Sequence, residues 1–98
     1  MGIRKTHENF DTGRMLKDGV ASDPNSIYVG RMIYETEYFM DSSADVSNLP
    51  TDTLEGGTDI YGNILAPCLP NSIAWTADYK YMTCMDNTGV WQEVVNRI

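Results

Sequence analysis

A series of strand and turn signals lies near the carboxyl end, where residues 72–95 read SIAWTADYKYMTCMDNTGVWQEVV. Three runs of mainly β-favouring residues occupy 72–77, 80–85 and 90–95. The sequences Asp-Tyr and Asp-Asn-Thr-Gly separate these runs, and the glycine tolerates the positive φ that such turns require. The stretch therefore predicts a three-stranded antiparallel meander.

The lengths of the two turns set which side chains of the meander share a face. A two-residue first turn places Trp75 on the face of Met82 and Cys84. A four-residue second turn brings Trp91 opposite Cys84, whereas a three-residue turn would move Trp91 beside Met85. From the four-residue alternative we predict a structural core of Trp75, Met82, Cys84 and Trp91.

A further strand signal spans residues 26–40, where the even positions are largely apolar and the odd positions include the charged side chains. Its tyrosines favour an extended conformation. An exposed edge of this strand would allow another chain to add a strand. We therefore predict that Tyr28, Met32, Tyr34 and Tyr38 belong to an interface.

The remaining segments lack a sustained periodicity. Residues 1–25 combine glycines with many polar residues, which predicts an extended arm. Residues 41–71 mix Ser, Thr, Asp, Asn, Pro and Gly with isolated aliphatic residues, which predicts a long irregular loop. A solvated linker has no need of large aliphatic side chains, so we expect them to lie on this chain or on a neighbour. The candidates for this contact are Leu49, Leu54, Ile60, Ile64 and Leu65.

These signals predict a mainly β fold with a small antiparallel sheet. The expected parts are the arm of residues 1–25 and one small β domain over residues 26–98 that contains the meander and the irregular loop. Only 20 of the 98 residues are Leu, Ile, Val or Phe, which makes a thin core. We expect assembly with other chains to supply the missing cover.

Charge and composition exclude several classes of partner. The formal net charge is −7, and residues 32–79 carry eight acidic and no basic side chains, so a phosphate backbone would be repelled. No apolar stretch approaches the roughly 20 residues of a membrane span. We predict no nucleic-acid and no membrane partner. The acidic stretch is either a solvated surface or a face that meets a basic partner.

The inventory of reactive side chains is small. His7 is the single histidine, so a Ser-His-Asp or Cys-His relay and a histidine-rich metal site both lack material. Cys68 and Cys84 lack a Cys-x-x-Cys partner and a secretory signal, which predicts free thiols in a cytoplasmic product. The carboxylates lack the spacing of a calcium loop. We predict no enzyme activity, no catalytic residue, no cofactor and no metal site.

The meander also carries a resemblance to a known class of protein. Residues 70–82, PNSIAWTADYKYM, and residues 85–94, MDNTGVWQEV, resemble a carboxyl-terminal pattern of small bacteriophage virion proteins. That pattern has a Ser-x-Ala-aromatic strand, a strand ending in Asp, a glycine turn and a Gly-x-Trp strand. Residues 48–52, NLPTD, are similar to the polar loop that often precedes it. The resemblance covers somewhat less than half of the chain, and similar hairpins occur in head fibres, capsid accessory proteins and tail or neck proteins.

The resemblance implies a structural subunit of a virion, made in the cytoplasm of a host bacterium. A capsid accessory, decoration or fibre-anchoring protein fits this setting, with a larger virion protein, further copies of the chain, or both as partners. One alternative is a soluble acidic binding module, such as a phage-encoded inhibitor acting on a basic surface. Another is a sugar-reading module that uses Trp75, Trp91, Tyr79 and Tyr81 as a platform.

Overall fold

The strands of the protein form one five-stranded sheet in a computed structural model that describes residues 2–16, 28 and 30–98. In chain order the strands are β1 (Ile3–Met15), β2 (Met32–Met40), β3 (Ile73–Thr76), β4 (Tyr81–Met85) and β5 (Trp91–Asn96). Their order across the sheet is the same, and a six-residue 3₁₀ helix, Ser43–Asn48, follows β2. The predicted mainly β class is confirmed.

The sheet is mixed. β2 and β3 run parallel, and the three other pairs of neighbouring strands run antiparallel. The prediction of an antiparallel sheet is therefore wrong for one pair of strands, β2 and β3. Parallel neighbours require a long crossover connection, and residues 41–72 supply it between β2 and β3.

The carboxyl-terminal meander is confirmed as β3, β4 and β5. Its first turn has the predicted register, with Trp75 opposite Met82. Its second turn takes the three-residue alternative, so Trp91 lies opposite Met85 and not opposite Cys84. Because neighbouring side chains on a strand alternate between faces, Trp91 points to the opposite face of the sheet from Trp75.

Hydrogen bonds around Asp86 fix the second turn. The Asp86 amide donates to the Val90 carbonyl at 2.8 Å, which closes a loop of three residues. The Asp86 carboxylate oxygen Oδ1 accepts from the amides of Thr88 and Val90 at 2.8 and 3.1 Å. Gly89 has a φ of +84°, which a side chain would strain. The backbone of this turn therefore selects the observed register.

The amino-terminal segment is a strand of the sheet, so the prediction of an arm is wrong over the described part. β1 pairs with β2 along its length, and Ile3 is fully buried. Most other β1 side chains are exposed or half-buried because β1 is an edge strand. Two register shifts, between Lys5 and His7 and again after Asn9, interrupt the two-residue alternation. Met1 and residues 17–25 of the predicted arm lie outside the described residues.

β2 is shorter than the strand predicted over residues 26–40. It begins at Met32, while Tyr28 lies in the turn before it, and residues 26, 27 and 29 lie outside the described part of the chain. β1 and β3 pair with β2 on its two sides. The expectation that another chain adds a strand at β2 is therefore wrong.

The core lies between one face of the sheet and residues 41–71, which we call the loop. Its buried side chains come from the strands and from the loop, and they are Ile3, Tyr38, Met40, Ala74, Met85, Leu49, Leu65 and Cys68. A second, smaller cluster consists of Leu16, Ile33 and Leu69, with Tyr28 packed against it. Of the predicted interface residues, Tyr38, Leu49 and Leu65 are therefore core residues of this chain, because the chain folds its own loop over them.

The loop contributes no strand to the sheet, as predicted, and its backbone is held by hydrogen bonds within itself. The Gly56 amide donates to the Leu65 carbonyl at 2.8 Å, and the Leu65 amide donates to the Gly57 carbonyl at 2.9 Å. The Cys68 amide donates to the Thr51 carbonyl at 3.1 Å. These bonds satisfy backbone groups that the packing of the loop removes from water.

The four predicted core residues do not form one cluster. The face of the sheet opposite the loop is called the open face. It carries Trp75, Met82 and Cys84, each of which is half-buried. Trp91 packs against the core on the covered face, and its Nε1 donates to the Pro50 carbonyl at 2.7 Å. The prediction fails because the loop covers a single face and because the second turn has the shorter register.

Candidate interaction surfaces

A groove of about 470 Å³ lies between the loop and the β1–β2 part of the sheet. Its lining consists of Lys5, Glu8, Met32, Ile33, Tyr34, Thr36, Tyr38, Asp59, Tyr61, Asn63, Ile64, Leu65, Ala66 and Pro67. The volume falls within the range of ligand-binding clefts in proteins. Five of the predicted interface residues line this groove, namely Met32, Tyr34, Tyr38, Ile64 and Leu65.

The groove has a buried apolar floor and an exposed apolar rim. Tyr38 and Leu65 form the floor and are almost fully buried. On the rim, Met32 is 46% exposed, Ile64 is 51% exposed and Tyr61 is 71% exposed. Exposed large apolar side chains around a cleft are typical of a binding surface.

Two acidic side chains in the groove differ in their partners. Glu8 forms an ion pair with Lys5. Asp59 Oδ1 accepts from the amides of Tyr61 and Asn63 at 2.8 and 2.9 Å, which fixes the turn of the loop. Within the described part of the chain Asp59 forms no ion pair. The uncompensated charge of the groove is therefore negative.

Beside the groove, β1 and the residue before β2 carry four exposed side chains, Phe10, Arg14, Met15 and Arg31. Phe10 is 72% exposed and Met15 is 54% exposed, and both arginines are exposed. The Phe10 ring makes an edge contact of 4.8 Å between centroids with Tyr34, which lines the groove. Sequence reasoning missed Phe10 and Met15 because it treated this segment as an arm without a partner strand.

The open face carries a cluster of three aromatic rings. Their centroids lie 6.4 Å apart for Phe39 and Trp75, 6.4 Å for Phe39 and Tyr79, and 5.5 Å for Trp75 and Tyr79, all in edge contacts. The guanidinium carbon of Arg4 lies 5.8 Å from the centroid of the Phe39 ring. The Nε1 atom of Trp75 is buried and has no hydrogen-bond partner.

The rings named for a sugar platform lie on two different faces. Trp75 and Tyr79 belong to the open face, whereas Tyr81 and Trp91 pack against the core on the covered face. A platform needs rings that one ligand can touch together. The arrangement therefore does not favour the sugar-reading alternative.

The other predicted interface residues lie away from the groove. Tyr28 is half-buried against the smaller core cluster. Leu54 and Ile60 are 44% and 48% exposed on the loop. The Ile60 amide donates to the Ile3 carbonyl at 3.0 Å, so this part of the loop covers the start of β1.

The two cysteines are free, and their surroundings oppose ionisation. Burial raises the pKa of the Cys68 thiol, which contacts Ser72 and Tyr38. Burial and then the negative charge of Asp86 raise the pKa of the Cys84 thiol. Both thiols are therefore protonated at neutral pH, which is the form of lower nucleophilicity.

The acidic side chains of residues 32–79 are spread over several environments. Asp45 is buried and accepts from the Ser42 amide at 3.2 Å at the start of the 3₁₀ helix. Glu35 and Glu37 line a depression on the open face, and Asp59 lines the groove on the other side of the sheet. They do not form one continuous acidic face.

The described ranges contain no group of three or more His, Cys, Asp or Glu side chains that could hold a metal ion. No helix in them is long and apolar enough to cross a membrane. Comparisons with models of known protein families, with curated proteins and with solved structures find no match to this chain.

Proposed function

We propose that this chain is a non-enzymatic structural subunit of a bacteriophage virion, of the capsid accessory, decoration or fibre-anchoring kind. Its partners are a larger virion protein and further copies of the chain. The observation that carries the proposal is the open face of the sheet. Its aromatic cluster, Phe39, Trp75 and Tyr79, lies on the side of the sheet opposite the loop.

A sheet with two apolar faces requires a layer against each of them. The loop supplies one layer, with Leu49 and Leu65 in the core. On the open face Tyr79 is 58% exposed, and Phe39 and Trp75 are half-buried. Exposed aromatic clusters of this kind are typical of the centre of protein–protein interfaces.

The buried N–H of Trp75 adds no desolvation cost to a protein contact on this face. In most settings, covering an indole ring removes its N–H from water, and an unpaired N–H then costs free energy. In this chain the Nε1 atom has already lost its contact with water. A partner that covers the ring therefore adds no further desolvation cost at that atom.

The virion setting comes from the sequence and concerns the same part of the molecule. The residues that resemble small virion proteins, 70–82 and 85–94, include all of β3 and most of β4 and β5. These strands supply Trp75 and Met82 to the open face. The acidic Glu35 and Glu37 on one side of the aromatic cluster would form the polar rim of such an interface.

The test is co-sedimentation of the full chain with phage particles, using variants of the open face. Tyr79→Asn removes an aromatic ring and suits the backbone, because Tyr79 has a φ of +59° and Asn tolerates that region. We expect about a tenfold loss of particle binding or more, as for central interface residues. Leu54→Asn, at an exposed position of the loop, is the matched control and should bind as the wild type does.

Unchanged binding of the Tyr79→Asn variant would contradict docking through the open face. Recovery of the wild-type chain only in the soluble fraction, bound to a host protein, would instead support the acidic inhibitor. The acidic groups lie on both faces of the sheet, so they form no single surface that a basic partner could contact.

A further inference from the structure

The interruptions of the strand pairing all involve the two outer strands of the sheet. The ladders between β2 and β3 and between β3 and β4 run without a register shift. The ladder between β1 and β2 is shifted twice, and the ladder between β4 and β5 is shifted once. In all three shifts the extra residues belong to the outer strand, as in a β-bulge. The bulges therefore lie at the two edges, where another chain could add a strand.

The sequence of β5 favours pairing with a further strand. Residues 90–95 read VWQEVV, with four β-branched or aromatic residues, a single charge and no proline. Val90 and Val94 are 52% and 54% exposed. An exposed edge strand of this composition is a template for another chain. Protection against strand addition therefore matters most at β5.

Hydrogen bonds show which backbone groups of β5 point to the free edge. The Met85 amide donates to the Ser72 carbonyl at 2.9 Å, and the Asn71 amide donates to the Met85 carbonyl at 2.9 Å. Both backbone groups of Met85 therefore point towards the β3 side of the sheet. Trp91 lies opposite Met85, and hydrogen-bonded and non-hydrogen-bonded pairs alternate along an antiparallel ladder. The amides and carbonyls of Trp91 and Glu93 therefore point away from β4.

Val94 is the extra residue of β5. Glu93 pairs with Thr83 on β4. The residue of β4 next to Thr83 is Met82, and it pairs with Val95. The bulge therefore inserts one residue between two consecutive pairs. A bulge also bends its strand and increases the local twist.

Beyond the bulge, the outward backbone groups are out of step. The Arg97 amide donates to the Lys80 carbonyl at 2.7 Å, so Arg97 points towards β4 and its neighbour Asn96 points outwards. The outward residues are therefore Trp91, Glu93 and Asn96, whereas a regular strand presents every second residue. A partner strand in register with the first two is out of register with the third.

On β1, backbone groups at the bulged edge are already bonded within the chain. In the wider bulge the Thr12 hydroxyl donates to the Asn9 carbonyl at 2.7 Å. The Asp11 amide donates to the Asn9 side chain at 3.1 Å. At the start of β1 the Ile3 carbonyl accepts from the Ile60 amide of the loop at 3.0 Å. These bonds remove groups that an added strand would require.

We propose that the bulges are a device against strand addition, with Val94 as the residue that protects the edge of β5. The sheet then contacts other proteins through the side chains on its faces and not through its edges. This inference does not depend on the proposed function, because it applies to the chain alone as well as to the chain in a particle. Absence of the chain from particles would remove the virion function and leave this inference unchanged.

The test is deletion of Val94 from the full chain, followed by analytical ultracentrifugation up to about 1 mM. The deletion keeps every pair between β4 and β5 and gives the outward residues a regular two-residue spacing. New backbone hydrogen bonds between two β5 edges should lower the dissociation constant for self-association by at least about tenfold. Because β1 keeps its bulges, this association closes as a two-fold dimer. Val94→Thr keeps the extra residue, so this matched control should behave as the wild type does.

Hydrogen exchange locates the contact and also provides a measurement on the wild type. The Trp91 and Glu93 amides should exchange faster than the Gln92 amide in the wild type, and they should become protected when the deletion variant associates. Circular dichroism verifies the fold of both variants. A folded deletion variant that associates no more strongly than the wild type overturns the proposal. Wild-type Trp91 and Glu93 amides whose protection rises with protein concentration also overturn it, because the bulged edge would then be pairing.

Discussion

The two tryptophans differ in the partner that the rest of the chain provides for the indole N–H. Trp91 lies on the covered face, where its Nε1 donates to the Pro50 carbonyl of the loop at 2.7 Å. Trp75 lies on the open face, and its Nε1 is buried without a partner. Strand alternation predicted correctly that Trp75 faces Met82. It gave no information on the surroundings of the two indole N–H groups, because the partner of Trp91 lies on a loop distant in sequence.

The matched substitutions Trp91→Phe and Trp75→Phe should have different effects on stability. Trp91→Phe removes a hydrogen bond and leaves the Pro50 carbonyl unpaired, so the free energy of unfolding should fall by about 1–3 kcal/mol. Trp75→Phe removes an unpaired buried N–H, so it should cost clearly less or raise stability. Urea denaturation measures both. Equal losses would show that packing volume, and not the hydrogen bond, decides the effect.

Asp86 makes the stability of the folded chain depend on pH. Donation by the Thr88 and Gln92 side chains and by the Val90 amide lowers the pKa of the Asp86 carboxyl well below its usual range. A group whose pKa falls on folding stabilises the native state above its unfolded pKa, which is about 3.9 for Asp. That contribution is lost as the pH falls from about 4 towards the folded-state pKa.

The variant Asp86→Asn should therefore have a lower melting temperature than the wild type at pH 6. The difference should shrink as the pH falls below about 4, where the wild type loses its ionised carboxylate. Melting curves of both proteins between pH 6 and pH 2 provide the measurement. Asp11→Asn, at an exposed position of β1, controls for the loss of one negative charge. A difference that is constant over this pH range would contradict the account.

Among the elements, the sequence predicts best those strands in which side chains alternate regularly and turn residues mark both ends. β3, β4 and β5 follow from alternation and turn residues alone, except for the register of the second turn. β1 escapes prediction because it is an edge strand with two register shifts and few buried side chains. Five residues that line the groove, on β2 and the loop, were among the predicted interface residues, whereas Lys5, Glu8 and the neighbouring Phe10 on β1 were not.

Because β1 is a strand of the sheet, removing it should destabilise the fold. An arm could be deleted without loss of the fold, but Ile3 is fully buried in the main core. We expect Ile3→Ala to lower the free energy of unfolding by about 2–5 kcal/mol. His7→Ala, at an exposed position of the same strand, should change it by less than about 0.5 kcal/mol. If denaturant unfolding gives similar values for both variants, β1 is not part of the cooperative structure.

At the scale of the whole molecule, the loop acts as the second layer that a small sheet requires. The sequence indicated that its aliphatic residues lie on something, and Leu49 and Leu65 lie on the sheet of the same chain. The parallel pairing of β2 and β3 was not predicted, because strand signals alone do not show on which side a long connection returns. This crossover places the loop on one face and leaves the other open.

Hydrogen exchange should show the loop and the sheet as one cooperative unit. The amides of Gly57, Leu65 and Cys68 donate to carbonyls within the loop at 2.8, 2.9 and 3.1 Å. We expect their protection to approach that of the Met85 amide, which donates to Ser72 at 2.9 Å. Rapid exchange of the three loop amides beside a protected Met85 would show that the loop detaches from the sheet.

In the proposed function, the chain acts by occupying a place in a phage particle. Quantitative mass spectrometry of particles, purified from an infection in which the chain is expressed, tests this most directly. A virion subunit should co-purify with the particles in a fixed ratio to a larger virion protein. Absence of the chain from particles, while it is abundant in the infected cells, would contradict the claim.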